Sequence, residues 1–424
     1  MIRLFVSFLI LAACIGFIEF FPVFIPHLQY AGFFLMEAGV LDYSTSFLIT
    51  YAELVILIIF LFKSKMKIND RYSFLLLIMP LVSAPALLNS YFNGNFFASL
   101  YLFTMLCLIP FYYQFLLRGM GYFIEINLVD YMVISLLIAG VFTKLYQGYV
   151  HGPILAPSMD PLLYGLISRG GGMNASNHIG GIILVLLPLI TGKRVFYLAV
   201  FFLILSFSRG VYFVLGIYLF YLVIKYIVEL FKYKVIPRRH LGNLILYVSV
   251  LAIILELMPS GHIDELARNF SNRISAFFVV GQNERFNIFQ NALEMFIQSN
   301  YIGVGPANFY YAYDKIPSEL YENKFSNAHN LYLTILVENG IIFLLMFLYL
   351  SLTVMKKAYK YDKKAFISLF IFMFYGLFSG QLYETGMGKV SLYDYYYYVF
   401  LIAYVRYQQL KNKQGRAIAA LKND

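Results

Sequence analysis

From His329 to Met355 the chain reads HNLYLTILVENGIIFLLMFLYLSLTVM, an apolar run of bilayer-crossing length that is closed by Lys356 and Lys357. A spanning helix needs roughly twenty mainly apolar residues, because every backbone N–H and C=O must be bonded within the segment once water is absent. Working outward, runs of this kind recur near 4–25, 46–62, 73–89, 96–117, 128–147, 176–191, 195–208, 210–231, 242–258, 329–355, 365–382 and 392–407. Composition agrees: 61% of the residues are hydrophobic and 13% charged, whereas soluble domains carry about 25% charged residues. The expected fold is an all-α polytopic membrane protein with about 12 transmembrane helices. Residues 1–424 read as a single membrane domain, without periodic repeats or low-complexity linkers.

Short loops rich in Lys and Arg stay in the cytoplasm. With the N-terminus inside, the inside segments are Lys63–Arg71, Arg118, Lys193–Arg194, Lys232–Arg239, Lys356–Lys364 and the tail Lys411–Lys422. Loops 26–45, 90–95, 148–175 and 383–391 fall outside and are nearly free of Lys and Arg, so both termini are expected in the cytoplasm. The net charge of +10 is then a topology signal. It does not indicate nucleic-acid binding, because the basic residues form no groove-lining stripe with aromatic partners.

Cys14 and Cys107 both lie within expected spans, which leaves no disulfide framework and no cysteine metal cluster. Leu11-Ala12-Ala13-Cys14 has the look of a lipoprotein cleavage box, but the apolar run continues to Pro26, as in an uncleaved first span.

The longest extramembrane piece, 259–328, lies outside, and loops of that size tend to be functional. Within it, a segment from Asn283 to Gln298 places Phe286, Phe289, Leu293 and Phe296 at helical spacing. This predicts an amphipathic helix that packs on the membrane domain or lies along the interface, with Arg285 near its start. Ile302-Gly303-Val304-Gly305-Pro306 then makes a turn, and the chain returns to the membrane at Asn327-Ala328-His329-Asn330.

Several residues of chemical interest share the outer side. His329 stands where the long loop returns, with a titratable nitrogen near neutral pH; its alternative role is an interfacial anchor bonded to a backbone carbonyl. Arg209, in the tight turn Phe207-Ser208-Arg209-Gly210, is either functional or a side chain snorkelling to its own headgroups. The run Arg169-Gly170-Gly171-Gly172-Met173-Asn174-Ala175-Ser176-Asn177-His178 could bring backbone N–H groups to an anion at a helix start, although such glycine runs are common in plain loops. Guanidinium groups suit bidentate phosphate binding. Two arginines, glycine amides and a histidine on one face suggest a site for a pyrophosphate-bearing lipid.

From about Met173 to Tyr349 the sequence resembles the O-antigen ligase and O-antigen polymerase superfamily of bacterial inner-membrane glycosyltransferases. The resemblance is carried by Ser208-Arg209-Gly210, by Glu284-Arg285-Phe286 with Gly303-Val304-Gly305 and Asn308-Phe309, and by Ala328-His329-Asn330 with Glu338-Asn339-Gly340. The last element fits the family pattern of His, then Asn, Ser or Gln, nine residues, then Gly. The resemblance implies a C-type glycosyltransferase-like membrane fold with its active site in the periplasm. It implies a polyprenyl-pyrophosphate-linked glycan as donor and a metal-independent, inverting transfer without cofactor. It assigns donor pyrophosphate binding to Arg209 and Arg285 and assistance to the acceptor hydroxyl to His329. Arg169, Asn177, His178 and Asn330 are further candidates, with His178 the main rival to His329.

The acceptor distinguishes two enzymatic readings. A polymerase joins glycan to a second lipid-linked repeat unit, and a ligase moves it onto lipid A core. Phe343, where the ligase motif usually has Gly, Thr or Tyr, and the Tyr-rich outer loop favour the polymerase. A transporter or flippase of lipid-linked glycan is the third reading, but paired halves or broken spans at matching positions are absent.

Overall fold

A computed structural model describes residues 70–93, 96–134, 136–138, 141, 175–205, 209–233, 284–309, 312, 328, 330–377, 384–386, 389–391 and 393–421. The spans expected at 4–25, 46–62 and 242–258 lie outside these residues. The chain divides into two compact units, one formed by Met1–Val211 with Asn287–Asp424, the other by Tyr212–Phe286.

The helices are α1 (Arg71–Val82), α2 (Ala84–Asn93), α3 (Phe96–Glu125), α4 (Ala175–Leu186), α5 (Lys193–Leu205), α6 (Arg209–Tyr233), α7 (Glu284–Gln298), α8 (Leu331–Tyr361), α9 (Lys363–Tyr375) and α10 (Tyr393–Leu421). A short antiparallel ribbon, β1 (Glu384–Gly386) with β2 (Lys389–Ser391), pairs Thr385 with Val390. It is a minor departure from the all-α expectation, between α9 and α10. Among the described residues three helices are long and apolar enough to cross a membrane, Arg71–Tyr91, Leu102–Glu125 and Leu331–Tyr361. Shorter apolar helices are Leu128–Ile138, Gly180–Leu189 and Phe213–Leu222.

Aspartates close the junctions between helices. Asp70 accepts from the N–H groups of Tyr72 and Ser73 at the start of α1, and also from the Tyr113 hydroxyl and the Gln114 amide of α3. Asp362 receives the N–H groups of Lys364 and Ala365 at the start of α9 and the Tyr404 hydroxyl of α10. Asp130 receives the Thr191 and Gly192 N–H groups ahead of α5. The Asp70 and Asp362 caps satisfy donors that a helix leaves unpaired in its first turn, and both also tie one helix to another.

α8 is not one continuous rod. Gly340 has φ 82° and ψ 173°, so the helix breaks there into Leu331–Asn339 and Ile341–Tyr361. At 1.5 Å per residue an unbroken helix would be roughly 46 Å long, more than the thickness of a bilayer core. The nine residues before the break form a separate, largely buried short helix, and the apolar run after it ends at Met355, ahead of Lys356 and Lys357. Along the second piece Phe343, Phe347, Leu350 and Val354 are buried, while Ile342, Leu345 and Leu352 are exposed.

The tyrosines at the start of α10 lie inside the helix packing. Tyr395, Tyr397 and Tyr398 are buried, with Tyr398 stacked on Phe372 of α9 and hydrogen-bonded to Ser351 of α8 at 2.7 Å. A cluster at this depth packs helices together; it cannot line the lipid surface.

Candidate functional site

α7 carries Arg285 in its first turn and delivers the chain to the glycine turn. Its buried face is Ile288, Ala292, Met295 and Phe296, packed with Val304, Phe309, Ala328 and Val337. Of the expected stripe, Phe296 is inside but Leu293 is exposed, and with Ile297 it forms an apolar edge that faces outward. The helix thus packs on the membrane domain through a face rotated from the one the phenylalanine spacing suggested, because Ala292 and Met295 fill the contact.

After α7 the backbone is held in conformations that L-residues seldom adopt. Asn300 (φ 55°), Tyr301 (φ 66°), Gly303 (φ 103°), Gly305 (φ 107°), Ala307 (φ 64°) and Gly340 (φ 82°) supply all the positive φ values among the described residues except that of Asn127. Each non-glycine residue so held costs roughly 1–3 kcal/mol, and strain of this kind gathers at functional sites. Surrounding contacts enforce it. The Val304 N–H donates to the Val337 carbonyl at 2.8 Å and the Gly305 N–H to the Glu338 carbonyl at 3.0 Å, so the turn occupies the gap that Gly340 opens in α8. A Cβ on Gly340 would lie 2.2 Å from the Ile302 oxygen, and one on Gly303 would lie 2.7 Å from the Gly340 nitrogen.

Glu338 and Asn308 complete this knot. The buried Glu338 carboxylate receives the Ala307 N–H at 3.2 Å and the Phe309 N–H at 3.0 Å. Ser99 of α3 donates to the Pro306 carbonyl and accepts from the Asn308 amide. Asn89 of α2 donates to the Gly303 carbonyl at 2.9 Å. The fragments Gly303-Val304-Gly305, Asn308-Phe309 and Glu338-Asn339-Gly340, separate in the sequence, are one packed unit.

The other end of the short helix is built as carefully. Asn330 caps it, its side-chain oxygen accepting from the Leu333 N–H at 3.0 Å and its nitrogen donating to the Leu377 carbonyl at 3.1 Å. The Leu331 N–H bonds the Gly376 carbonyl at 2.8 Å, and the Tyr332 hydroxyl bonds that of Met373. Asn330 therefore holds the backbone in place. The family spacing acquires a physical meaning: a helix cap directly after the histidine, nine helical residues, then a glycine where only glycine fits.

Gly181, Ile182 and Val185 of α4 line an apolar cleft with Leu331, Phe372, Tyr375 and Tyr397. Gly181 lies against the Tyr375 ring, where a Cβ would come to 2.5 Å. The cleft begins three residues after His178 and two after His329, so the segments that carry the two rival histidines converge at this end of the bundle. Asn177 and His178 lie in the first turn of α4, and Arg209 opens α6. His329 and Arg169 lie outside the described residues. Glu338, Asn89 and Ser99 are the residues that reading for reactive groups passed over; the available signal was a carboxylate inside an apolar run, which is costly unless it has a task.

These features define a helical integral membrane protein with a glycine-broken helix locked to the turn that follows α7. Residues 195–348 match the O-antigen ligase family model, Wzy_C, which supports the resemblance to the O-antigen ligase and polymerase superfamily, whose members are glycosyltransferase-like enzymes acting on lipid-linked glycans. The matched stretch runs from the beginning of α5 into α8 and contains every motif on which the resemblance rests; the glycine run of 169–178 lies ahead of it. No curated protein matches the chain.

Proposed function

We propose that this protein polymerises surface glycan at the outer face of a bacterial inner membrane. It transfers glycan from a polyprenyl-pyrophosphate donor to a lipid-linked repeat unit, with inversion and without a metal. The observation that carries the proposal is the convergence of three of the family's fragments, Gly303-Val304-Gly305, Asn308-Phe309 and Glu338-Asn339-Gly340, on the short helix Leu331–Asn339, which Asn330 caps directly after His329 in the sequence. In this mechanism Arg209 and Arg285 bind the donor pyrophosphate and stabilise the charge that develops on it as the glycosyl bond breaks. His329 takes the proton from the acceptor hydroxyl as that oxygen attacks, since a base with a pKa near neutrality suits this step. His178 is the rival for that role, its helix meeting the same cleft.

The proposed grouping of segments into two sides is supported by which helix ends meet. Segments assigned inside pair with one another, as Asp70 with Tyr113 and Asp362 with Tyr404, and segments assigned outside do likewise, as Asn89 with Gly303 and Asn330 with Leu377. A ligase delivering glycan to lipid A core is equally supported by the family match. Phe343, fully buried at the position where the ligase motif has Gly, Thr or Tyr, favours the polymerase. A lipid-linked glycan transporter is the weaker alternative, because the matched family consists of glycosyltransferase-like enzymes.

The surface glycan profile of a strain lacking the gene separates the three. Core bearing a single repeat unit supports polymerase, bare core with long carrier-bound glycan means ligase, and an unchanged profile returns the transporter.

A further inference from the structure

We propose that Glu338 is a positioning residue for glycan transfer, fixing the place of His329 by locking the far end of the short helix Leu331–Asn339. The proposal rests on the reading of His329 as the group that handles the acceptor proton.

A carboxylate taken out of water loses several kcal/mol of solvation, and its surroundings must compensate. Glu338 is completely buried, and its two oxygens each receive a backbone N–H, from Ala307 and from Phe309. Its own carbonyl accepts a third, from Gly305. Ala307 holds φ 64°, so this segment keeps its donors directed at the carboxylate despite backbone strain. An apolar side chain at 338 would take away the carboxylate acceptor of two buried N–H groups, which is destabilising. Glutamine would present one acceptor, and its amide N–H would face a donor.

The placement of the lock indicates a role beyond holding the fold. The short helix is a rod of two and a half turns, roughly 13 Å long. At one end Asn330 and Leu331 attach it to the end of α9, directly after His329. At the other end Glu338 attaches it to the glycine turn. Releasing either anchor lets the rod slide or tilt, and a shift of about 1 Å at a reacting group is enough to cost roughly 100-fold in rate. Asn89 reinforces the same turn from α2 through its bond to the Gly303 carbonyl, and offers a milder way to loosen it.

The test uses the full-length protein in lipid nanodiscs, with a polyprenyl-pyrophosphate-linked repeat unit as substrate. Glu338→Gln is expected to lower kcat by roughly 100-fold while KM stays within about twofold. The acidic limb of the pH profile keeps its midpoint, and amide exchange over 303–309 accelerates. Asn89→Ala is expected to lower kcat by roughly fivefold in the same pattern, and it decides the matter if Glu338→Gln does not insert. Unchanged kcat in either inserted variant overturns the proposal, as does a loss that only tracks the amount of folded protein or appears as an equal rise in KM. Disappearance of the acidic limb in Glu338→Gln also overturns it, because Glu338 would then exchange the proton itself. Normal transfer by His329→Ala removes the underlying reading of the site, a result distinct from each of these.

Discussion

Replacing Gly340 with alanine tests whether the break in α8 is imposed by the glycine turn. The residue sits at φ 82° and ψ 173°, a region essentially reserved for glycine, and forcing an L-residue there costs about 1–3 kcal/mol. The new Cβ would also lie 2.2 Å from the Ile302 carbonyl oxygen, which must withdraw. Its withdrawal pulls the turn away from α8 and breaks the bonds from Val304 to Val337, from Gly305 to Glu338 and from Ile341 to Tyr301. At about 0.5–1.5 kcal/mol per bond, the combined cost is about 3–7 kcal/mol, comparable with much of a domain's total stability of about 5–15 kcal/mol. Hydrogen exchange of the detergent-solubilised protein should show peptides over 299–309 and 331–341 losing protection, with a lower melting temperature. Gly415→Ala is the control: a Cβ there meets nothing within 4 Å, and removing a glycine from a helix interior should stabilise by about 0.5–1 kcal/mol. Unchanged protection in Gly340→Ala, or equal damage from Gly415→Ala, would refute the reasoning.

Asn330→Ala should destabilise by about 1 kcal/mol through loss of the helix cap, and Asn330→Ser should recover most of it; thermal unfolding of the two variants distinguishes a cap from a substrate-binding group, for which serine would restore melting but not transfer. Transfer should fall on acidification, because protonated His329 cannot accept the hydroxyl proton; a rate that rises with acid contradicts the assignment. In intact cells, cysteine placed at exposed Gln298 should react with a membrane-impermeant maleimide and cysteine at Gly415 should not; the reverse labelling would invert the proposed topology. Arg209→Ala and Arg285→Ala should each abolish transfer at normal protein levels, and normal surface glycan in both would remove the pyrophosphate clamp.

Hydropathy located helices better than it located their ends or breaks. The runs at 73–89 and 210–231 correspond to helical Arg71–Tyr91 and Arg209–Tyr233, since a continuous apolar stretch leaves the backbone few alternatives. The run at 392–407 became Tyr393–Leu421, because a helix can continue into a polar tail after its apolar face has ended. Gly340 lay unmarked inside an apolar run. What breaks the helix there is a turn nearly forty residues earlier in the chain, and no local propensity records that contact. The same holds for Tyr395 and Tyr398, where composition alone cannot distinguish a tyrosine packed between helices from one at the lipid boundary. For the site, the motifs around Arg209, Arg285 and His329 were legible as chemistry. Glu338 was legible only as a charge out of place, because the Ala307 and Phe309 N–H groups that it receives are backbone groups, which carry no residue identity.

The most direct test of the account is transfer by the purified, reconstituted protein supplied only with a polyprenyl-pyrophosphate-linked repeat unit in the presence of a chelator. The account predicts carrier-bound glycans longer by whole repeat units, with release of polyprenyl pyrophosphate, and none from His329→Ala. Intact substrate after incubation with the wild-type protein, or elongation that His329→Ala sustains, would contradict it.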